Sequence, residues 1–122
     1  MKTSCVHHLA VVVEDLDAAA RFYGDVLGLE ERKRWFDNAG ALRSIWYGLG
    51  DEGPFLAVER GARRQDDAGW HCVALSIDAS HREAWRAHLK HAGHAVYRET
   101  DFTLYVRDPE GNILGLSHYP KT

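Results

Sequence analysis

The stretch HHLAVVVEDLDAAARFYGDVLGL, residues 7–29, decides the fold. Its first part, His8–Val13, is apolar and rich in β-branched residues, which predicts a strand whose side chains alternate between two faces. Apolar residues then recur at helical spacing over residues 16–27, which predicts an amphipathic helix. Asp15 is a suitable N-cap for that helix, and Gly28 stands where a helix commonly ends. The stretch therefore predicts a strand followed by a helix.

Three short strands are predicted after this helix, because short apolar runs are separated by turn-forming residues. They cover residues 32–36, 42–47 and 54–59. The segment 61–69 is polar and aperiodic and predicts a linker, in which Arg63 and Arg64, with Arg60 before it, form a solvated basic loop. The pattern then returns as a strand, a helix and three strands, over residues 73–77, 81–91, 94–99, 102–107 and 112–118.

The two halves of the chain share this order of elements, and their first strands align. VHHLAVVVED, residues 6–15, matches WHCVALSIDA, residues 70–79, at an offset of 64 that places Ala10 against Ala74. A half of this size is too small to bury its own sheet, so the halves are expected either to pack together as a single domain or to swap between chains. We predict an α+β fold of two βαβββ modules. They cover about residues 5–60 and 70–119, joined by the linker.

The bulk composition is that of a globular protein and argues against several partners. The 122 residues include 45% hydrophobic and 27% charged residues and carry a net charge of −3, which argues against a nucleic-acid partner. The N-terminal apolar run is too short for a membrane span and lacks a signal-peptide cleavage site, so a cytoplasmic protein with no membrane partner is expected. Two cysteines without CxxC spacing predict reduced thiols.

Two segments of the chain resemble a known family. The first is residues 7–29, which ends in the pattern FYxxVLGL, and the second is RDPEGNILGL, residues 107–116, which contains DPxGN. With the repeat, they resemble the vicinal oxygen chelate superfamily of glyoxalase, bleomycin-resistance and extradiol-dioxygenase proteins over essentially the whole chain. The resemblance implies a half-open cup and a homodimer. In metal-dependent members, each module supplies two ligands, usually His and Glu, to a divalent ion at the cup floor.

The resemblance assigns four positions of this chain to the metal ligands of the family. His8 matches the first-strand position of module one, and Cys72 matches that of module two because it lies two residues before Ala74. The last-strand positions are Leu56 and Gly115. Leucine and glycine side chains donate nothing to a metal, and the catalytic ions of this family prefer His and carboxylate ligands. No metal or other cofactor is therefore favoured.

A divalent metal remains the alternative. A bulge would turn His71 into the cup, and a shifted register would let Glu59 replace Leu56. Together these two irregularities would give the ligand set His8, Glu59 and His71. Such a site would support a metal-dependent lyase, isomerase, transferase or dioxygenase. A third alternative is an enzyme without metal that uses His8 as a general base.

The duplication also predicts which residues line the cup. Matching Leu56 to Gly115 gives an offset of 59, which pairs Trp46 with Tyr105. Strand alternation then predicts the ligand-binding cup: His8, Ser44, Trp46, Leu56, Cys72, Thr103, Tyr105, Arg107, Gly115 and Ser117. Trp46 and Tyr105 are expected to face each other as aromatic walls, with Gly115 opening space for a flat ligand. The alternative is that these aromatics fill the core or a dimer interface.

These residues favour a small-molecule-binding protein of the glyoxalase and bleomycin-resistance fold, of the sequestration or resistance type. The reason is that both carboxylate positions are lost while the strand and helix pattern is intact. If the protein is an enzyme, a glyoxalase-like lyase or isomerase or a dioxygenase is expected. The sequence does not identify the ligand.

Overall fold

The structure, a computed structural model, describes residues 1–2, 6–62 and 72–122. The chain divides into two compact units, residues 1–65 and 66–122, and the division falls inside the predicted linker. Each unit contains one four-stranded sheet. Within the described part of the chain, no helix is both long and apolar enough to cross a membrane.

The first unit folds as a strand, a helix and three strands. The strands are β1 His8–Val13, β2 Glu31–Phe36, β3 Leu42–Gly48 and β4 Phe55–Arg60. Helix α1, Leu16–Ala20, continues directly as a π-helical stretch, Arg21–Val26. The sheet order is β1-β4-β3-β2, in which β1 and β4 are parallel and the other neighbours are antiparallel.

The second unit repeats this order of elements. The strands are β5 Val73–Ser76, β6 Arg98–Glu99, β7 Thr103–Arg107 and β8 Ile113–Ser117. A 3₁₀ turn, Ala79–His81, leads into helix α2, Arg82–His91. The sheet order is β5-β8-β7-β6, with β5 and β8 parallel and the other neighbours antiparallel. The repeat confirms the predicted α+β fold of two βαβββ modules.

The predicted helix ends are confirmed. The Asp15 carboxylate accepts a hydrogen bond of 3.0 Å from the backbone N–H of Ala18, which satisfies a donor that has no partner within the helix. Asp78 accepts in the same way from the backbone N–H of Ser80, at 2.9 Å. Gly28 follows the first helix with φ +73°, a conformation that glycine adopts without strain.

Two predicted elements differ from the structure. The first helix changes to π-helical geometry, in which the N–H of Leu27 bonds the carbonyl of Phe22. The strand predicted over residues 94–99 is reduced to its last two residues. Its beginning is lost because the N–H of His94 bonds the carbonyl of Leu89 and so completes the end of helix α2 instead of pairing with a strand.

The helix of the first unit packs on one face of its sheet. Phe22 and Tyr23 of the π-helical stretch are each 1% exposed, and Ile45 and Tyr47 of β3 are similarly buried. The ring centroids of Tyr23 and Tyr47 lie 6.3 Å apart. Burial, followed by the nearby Glu31 carboxylate, raises the pKa of the Tyr47 phenol. This packing leaves the opposite face of the sheet for other contacts.

Candidate ligand-binding site

The candidate site lies on the face of the first sheet that points away from α1. Because Ile45 and Tyr47 face the helix, alternation along β3 places Ser44 and Trp46 on the opposite face. Residues that are register partners in neighbouring strands share a face. We call this surface the open face; it consists of His8, Ala10, Val12, Lys33, Trp35, Ser44, Trp46, Phe55, Ala57 and Glu59.

A row of aromatic side chains crosses the open face. The Trp35 and Trp46 rings lie 5.3 Å apart between centroids, with an interplanar angle of 57°. Trp46 stacks on Phe55 at 4.2 Å, and Phe55 stacks on His8 at 4.9 Å with the planes only 8° apart. Stacked rings of this kind hold one another in place, and together they form an apolar surface on the open face. The row extends over all four strands of the sheet.

Polar groups border this aromatic row. The Lys33 ammonium lies 3.8 Å from the centre of the Trp35 ring, a cation–π contact. The Nε1 atom of Trp35 and the Oγ atom of Ser44 are both buried, and neither has a hydrogen-bond partner among the described residues. Glu59 is exposed and is the register partner of Ser44. The open face therefore combines an apolar surface with a few polar groups, as ligand sites generally do.

The register of β4 corrects the predicted position of Leu56. Trp46 pairs with Ala57, whereas its counterpart Tyr105 pairs with Gly115. Ala57, and not Leu56, is therefore the counterpart of Gly115. Leu56 is 1% exposed and pairs with Leu9, which places both side chains toward the helix. The prediction that Leu56 lines the cup was wrong.

One extra residue in the β3–β4 connection explains this error. Eleven positions separate Trp46 from Ala57, but only ten separate Tyr105 from Gly115. Equivalent residues of β3 and β7 are thus 59 positions apart, as predicted, whereas equivalent residues of β4 and β8 are 58 positions apart. Because side chains alternate along a strand, a slip of one residue transfers every residue to the other face.

The corrected positions still do not fit the metal that the family implies. The four residues are His8, Ala57, Cys72 and Gly115, two of which have no donor atom in the side chain. His8 is exposed, stacks on Phe55, and its Nδ1 lies 2.9 Å from Nδ1 of His7. Within the described residues, no group of three or more His, Cys, Asp or Glu side chains is placed to hold a metal ion.

The alternative ligand set also fails the geometric requirement. His8 is opposite Phe55, and Glu59 is opposite Val12, with no register shift between them. Four residues of strand correspond to about 13 Å, and side chains standing parallel on one sheet face do not converge over that distance to the ~2 Å that a metal requires. The third member, His71, lies outside the described residues. The register of β4 places Glu59 on the open face, but four residues along the strand from the partner of His8.

Gly115 does not open space, contrary to expectation. A Cβ atom at this position would lie 3.1 Å from Cγ2 of Thr103, 3.3 Å from Cβ of Ala74 and 3.4 Å from Cε1 of Tyr105. The neighbouring side chains therefore close over the glycine. Thr103 itself donates a hydrogen bond of 2.9 Å to Ser117, so the polar pair beside Gly115 is internally satisfied.

Tyr105 occupies in the second unit the place that Trp46 occupies in the first. Unlike Trp46, it is covered by a charged side chain, because the Arg98 guanidinium lies 4.2 Å from its ring centre. Arg107, at the end of the same strand, contacts the Tyr97 ring at 4.5 Å and donates to the carbonyl of Gly111. Cys72 is partly exposed and precedes β5. That Trp46 and Tyr105 face each other stays a prediction.

The DPEGN segment forms a turn and does not supply ligand groups. The Asp108 carboxylate is 4% exposed and accepts hydrogen bonds from the backbone N–H groups of Glu110 and Asn112, at 2.9 and 2.8 Å. It also accepts from the side-chain amide of Asn112 at 2.8 Å. Gly111 completes the turn with φ +89°. The motif thus sets the entry of β8 into the sheet.

Arg60 belongs to the fold, and not to the solvated basic loop in which we expected it. Its guanidinium bonds the Asp37 carboxylate at 2.8 Å and the Leu42 carbonyl at 2.6 Å, which closes the β2–β3 turn. Asp37 also accepts from the backbone N–H groups of Ala41 and Ala39. These backbone hydrogen bonds and the Arg60 contact lower the pKa of Asp37. Arg63 and Arg64 lie outside the described residues.

Lys33, Trp35 and Phe55 are among the open-face residues that sequence reasoning missed. Trp35 and Trp46 are not recognisable as neighbours from their spacing, because β2 is shifted by a bulge against β3. Phe55 was missed because the wrong register placed it on the helix side. Its position next to a buried leucine in an apolar strand carries no periodic signal.

The family model of the Glyoxalase/Bleomycin resistance protein/Dioxygenase superfamily matches residues 6–116. The chain therefore belongs to this superfamily, which confirms the resemblance and agrees with the repeated fold. No curated protein matches the sequence.

Solved structures share the fold at low sequence identity. A genomically encoded fosfomycin resistance protein, FosX, from Listeria monocytogenes has a TM-score of 0.77 at 18% identity, covering 96% of this chain and 92% of its own. Lactoylglutathione lyase from Agrobacterium tumefaciens has a TM-score of 0.73 at 20% identity, and the match covers 98% of this chain and 96% of the lyase. A glyoxalase/dioxygenase from Nostoc punctiforme has a TM-score of 0.76 at 20% identity, and the match covers 96% of this chain and 92% of that protein. The Listeria protein is also known in complex with Mn(II) and sulfate.

Proposed function

We propose that this protein binds a flat, largely apolar small molecule on the open face of its first unit, without a metal ion. The observation that carries the proposal is the aromatic row of Trp35, Trp46, Phe55 and His8. Rings stacked in this way offer a preformed surface, so little side-chain freedom is lost when a planar ligand binds. Sequestration of a drug or natural product is the role that fits such a surface.

The chemistry of the former ligand positions supports a metal-independent protein. Ala57 and Gly115 supply no donor atom, and the thiol of Cys72 is a soft ligand. The family's metal chemistry rests on His and carboxylate oxygen donors. On the open face, the register partner of Ala57 is the aromatic residue Trp46.

Metal content decides between this proposal and the alternative of a metal-dependent lyase, isomerase, transferase or dioxygenase. The purified protein is dialysed against Mn²⁺, Ni²⁺ or Zn²⁺, then against metal-free buffer, and measured by elemental analysis. We expect well under one retained ion per chain in the wild type and in Cys72→Ser alike. One tightly held ion per chain, lost on His8→Ala, would overturn the proposal.

A further inference from the structure

Two buried polar atoms of the open face lack a partner within the described residues, and the two residues that carry them are register partners in neighbouring strands. Ser44 is 3% exposed, and its Oγ atom has no hydrogen-bond partner there. The same holds for Nε1 of Trp35, which is the register partner of Ser44 on the neighbouring strand. A buried donor without an acceptor is destabilising, so such atoms commonly mark a site that a ligand or ordered water completes.

A third polar group extends this pair into a row. Glu59 is the register partner of Ser44 on the other side, so Trp35, Ser44 and Glu59 occupy three adjacent strands at about 4.8 Å intervals. The Glu59 carboxylate makes no ion pair within the described residues. The row thus presents an N–H donor, a hydroxyl and a carboxylate acceptor along one edge of the aromatic surface.

Resting on the function proposed above, we infer that the ligand is a planar ring system with a carboxamide-type edge. Its carbonyl accepts from Trp35 and Ser44, and its N–H donates to Glu59. A ligand carboxylate is disfavoured, because it would approach the Glu59 carboxylate. A ligand that enters the site must displace a side chain that covers it. The exposed Lys33 is placed for this, because its ammonium lies directly over the Trp35 ring.

Three probes with the same ring test this edge by equilibrium dialysis at neutral pH. 2-Naphthamide carries an acceptor and a donor, methyl 2-naphthoate an acceptor only, and 2-naphthoate a negative charge. The variants are Trp35→Phe, which keeps a ring but removes the N–H, Ser44→Ala and Glu59→Gln. Trp85→Phe makes the same chemical change on helix α2 of the second unit and serves as the control.

We expect the wild type to bind the amide most tightly and the naphthoate least. Trp35→Phe and Ser44→Ala should each lower the affinity for the amide by about 3–10-fold, the effect of losing one hydrogen bond. Trp85→Phe should leave this affinity unchanged. Glu59→Gln should reduce the difference in affinity between the amide and the naphthoate. Without probe, Ser44→Ala should be as stable as the wild type or more so, because it removes a buried hydroxyl that has no partner among the described residues.

Two outcomes would overturn the inference, and they are distinguishable. If the three probes bind equally, and Trp35→Phe and Ser44→Ala bind as the wild type does while Trp46→Ala loses binding, the polar edge is wrong and the aromatic site stands. If none of the probes shows saturable binding to the wild type, the aromatic site itself is wrong, and the proposed function falls with it.

Discussion

Trp46 and Ala57 are direct partners across β3 and β4, on the face of the sheet that points away from the helix. The indole stacks on Phe55, the next open-face residue of the same strand as Ala57, at 4.2 Å. Ala57, whose side chain supplies no donor atom, therefore lies next to aromatic residues of the open face on its own strand and on β3. This relationship is the basis for expecting a binding surface, and it yields a first prediction.

Trp46→Ala should lower the affinity for 2-naphthamide about tenfold or more, because both the ring–ring contact and the apolar area of the indole are lost. Equilibrium dialysis measures the effect, and thermal unfolding verifies that the variant is folded. Trp85→Ala removes an indole from the second unit, where its ring is edge-on to His88, and should leave the affinity unchanged. Equal affinity in both variants would exclude Trp46 from the site.

The β3–β4 connection depends on a close approach between Gly48 and Arg32. The Arg32 guanidinium donates to the carbonyls of Gly50 and Gly53, both at 2.9 Å, and a Cβ on Gly48 would lie 2.7 Å from its Nε. Gly48→Ala should therefore cost about 1–2 kcal/mol in the free energy of unfolding, because the guanidinium has to leave its acceptors. Urea denaturation measures this value.

A double-mutant cycle provides the control for Gly48. In an Arg32→Ala background no guanidinium crosses the glycine, so Gly48→Ala should have little effect on stability. The same cost in both backgrounds would show that the clash lies elsewhere.

Two substitutions of Asp108 should destabilise the protein to different degrees. Asp108→Ala leaves two backbone N–H groups and the Asn112 side-chain amide without their acceptor, and should cost about 2–4 kcal/mol in the free energy of unfolding. Asp108→Asn keeps one carbonyl oxygen for the two backbone donors and should cost less than half as much. Chemical denaturation of both variants measures the difference, and equal costs would contradict the assignment of the turn to hydrogen bonding.

Glu99 links stability to pH through helix α2. Its Oε2 accepts from Arg86 at 2.5 Å and from Arg82 at 2.9 Å, and these two hydrogen bonds, that from Arg86 first, lower the pKa of Glu99. A carboxyl whose pKa is lower in the folded state stabilises the fold above its unfolded value, near 4.5, and loses that contribution as pH falls through the folded value.

The difference in stability between the wild type and Glu99→Gln should therefore be constant near neutral pH and shrink below about pH 4.5. Urea denaturation from pH 7 to pH 3 measures it. Glu83→Gln is the matched control, since the ion pair of Glu83 within the described residues is with Arg86 and its side chain is 75% exposed. It should have a smaller effect at every pH. If the Glu99→Gln difference instead grows toward low pH, the pKa of Glu99 is not lowered by folding.

Much of the fold is predictable from the sequence because its signals are local. The cap residues Asp15 and Asp78, and the glycine that ends each helix, act within one turn of chain. The first strands align because their residues alternate in the same phase. Residues 94–97, which were predicted to begin a strand, do not form one. The N–H of His94 bonds the end of the preceding helix instead.

The candidate site was predicted only in part, and the reason is again the range of the interactions. Trp46 and Ser44 follow from alternation along one strand, so they were placed on the correct face. Ala57 and Phe55 depend on how β4 pairs with β3, and one extra residue in the connection shifts that pairing. Trp35 depends on the irregular pairing of β2 with β3.

The sequence alone was enough to predict the family and the duplicated βαβββ order, because these follow from motifs, residue types and short-range periodicity. The tertiary structure was needed to show which side chains share the open face. A strand changes the direction of its side chains at every residue, so its face is set by hydrogen-bond register, and register is set by the connection before the strand. That register turned Leu56 toward the helix and placed Ala57 opposite Trp46 on the open face.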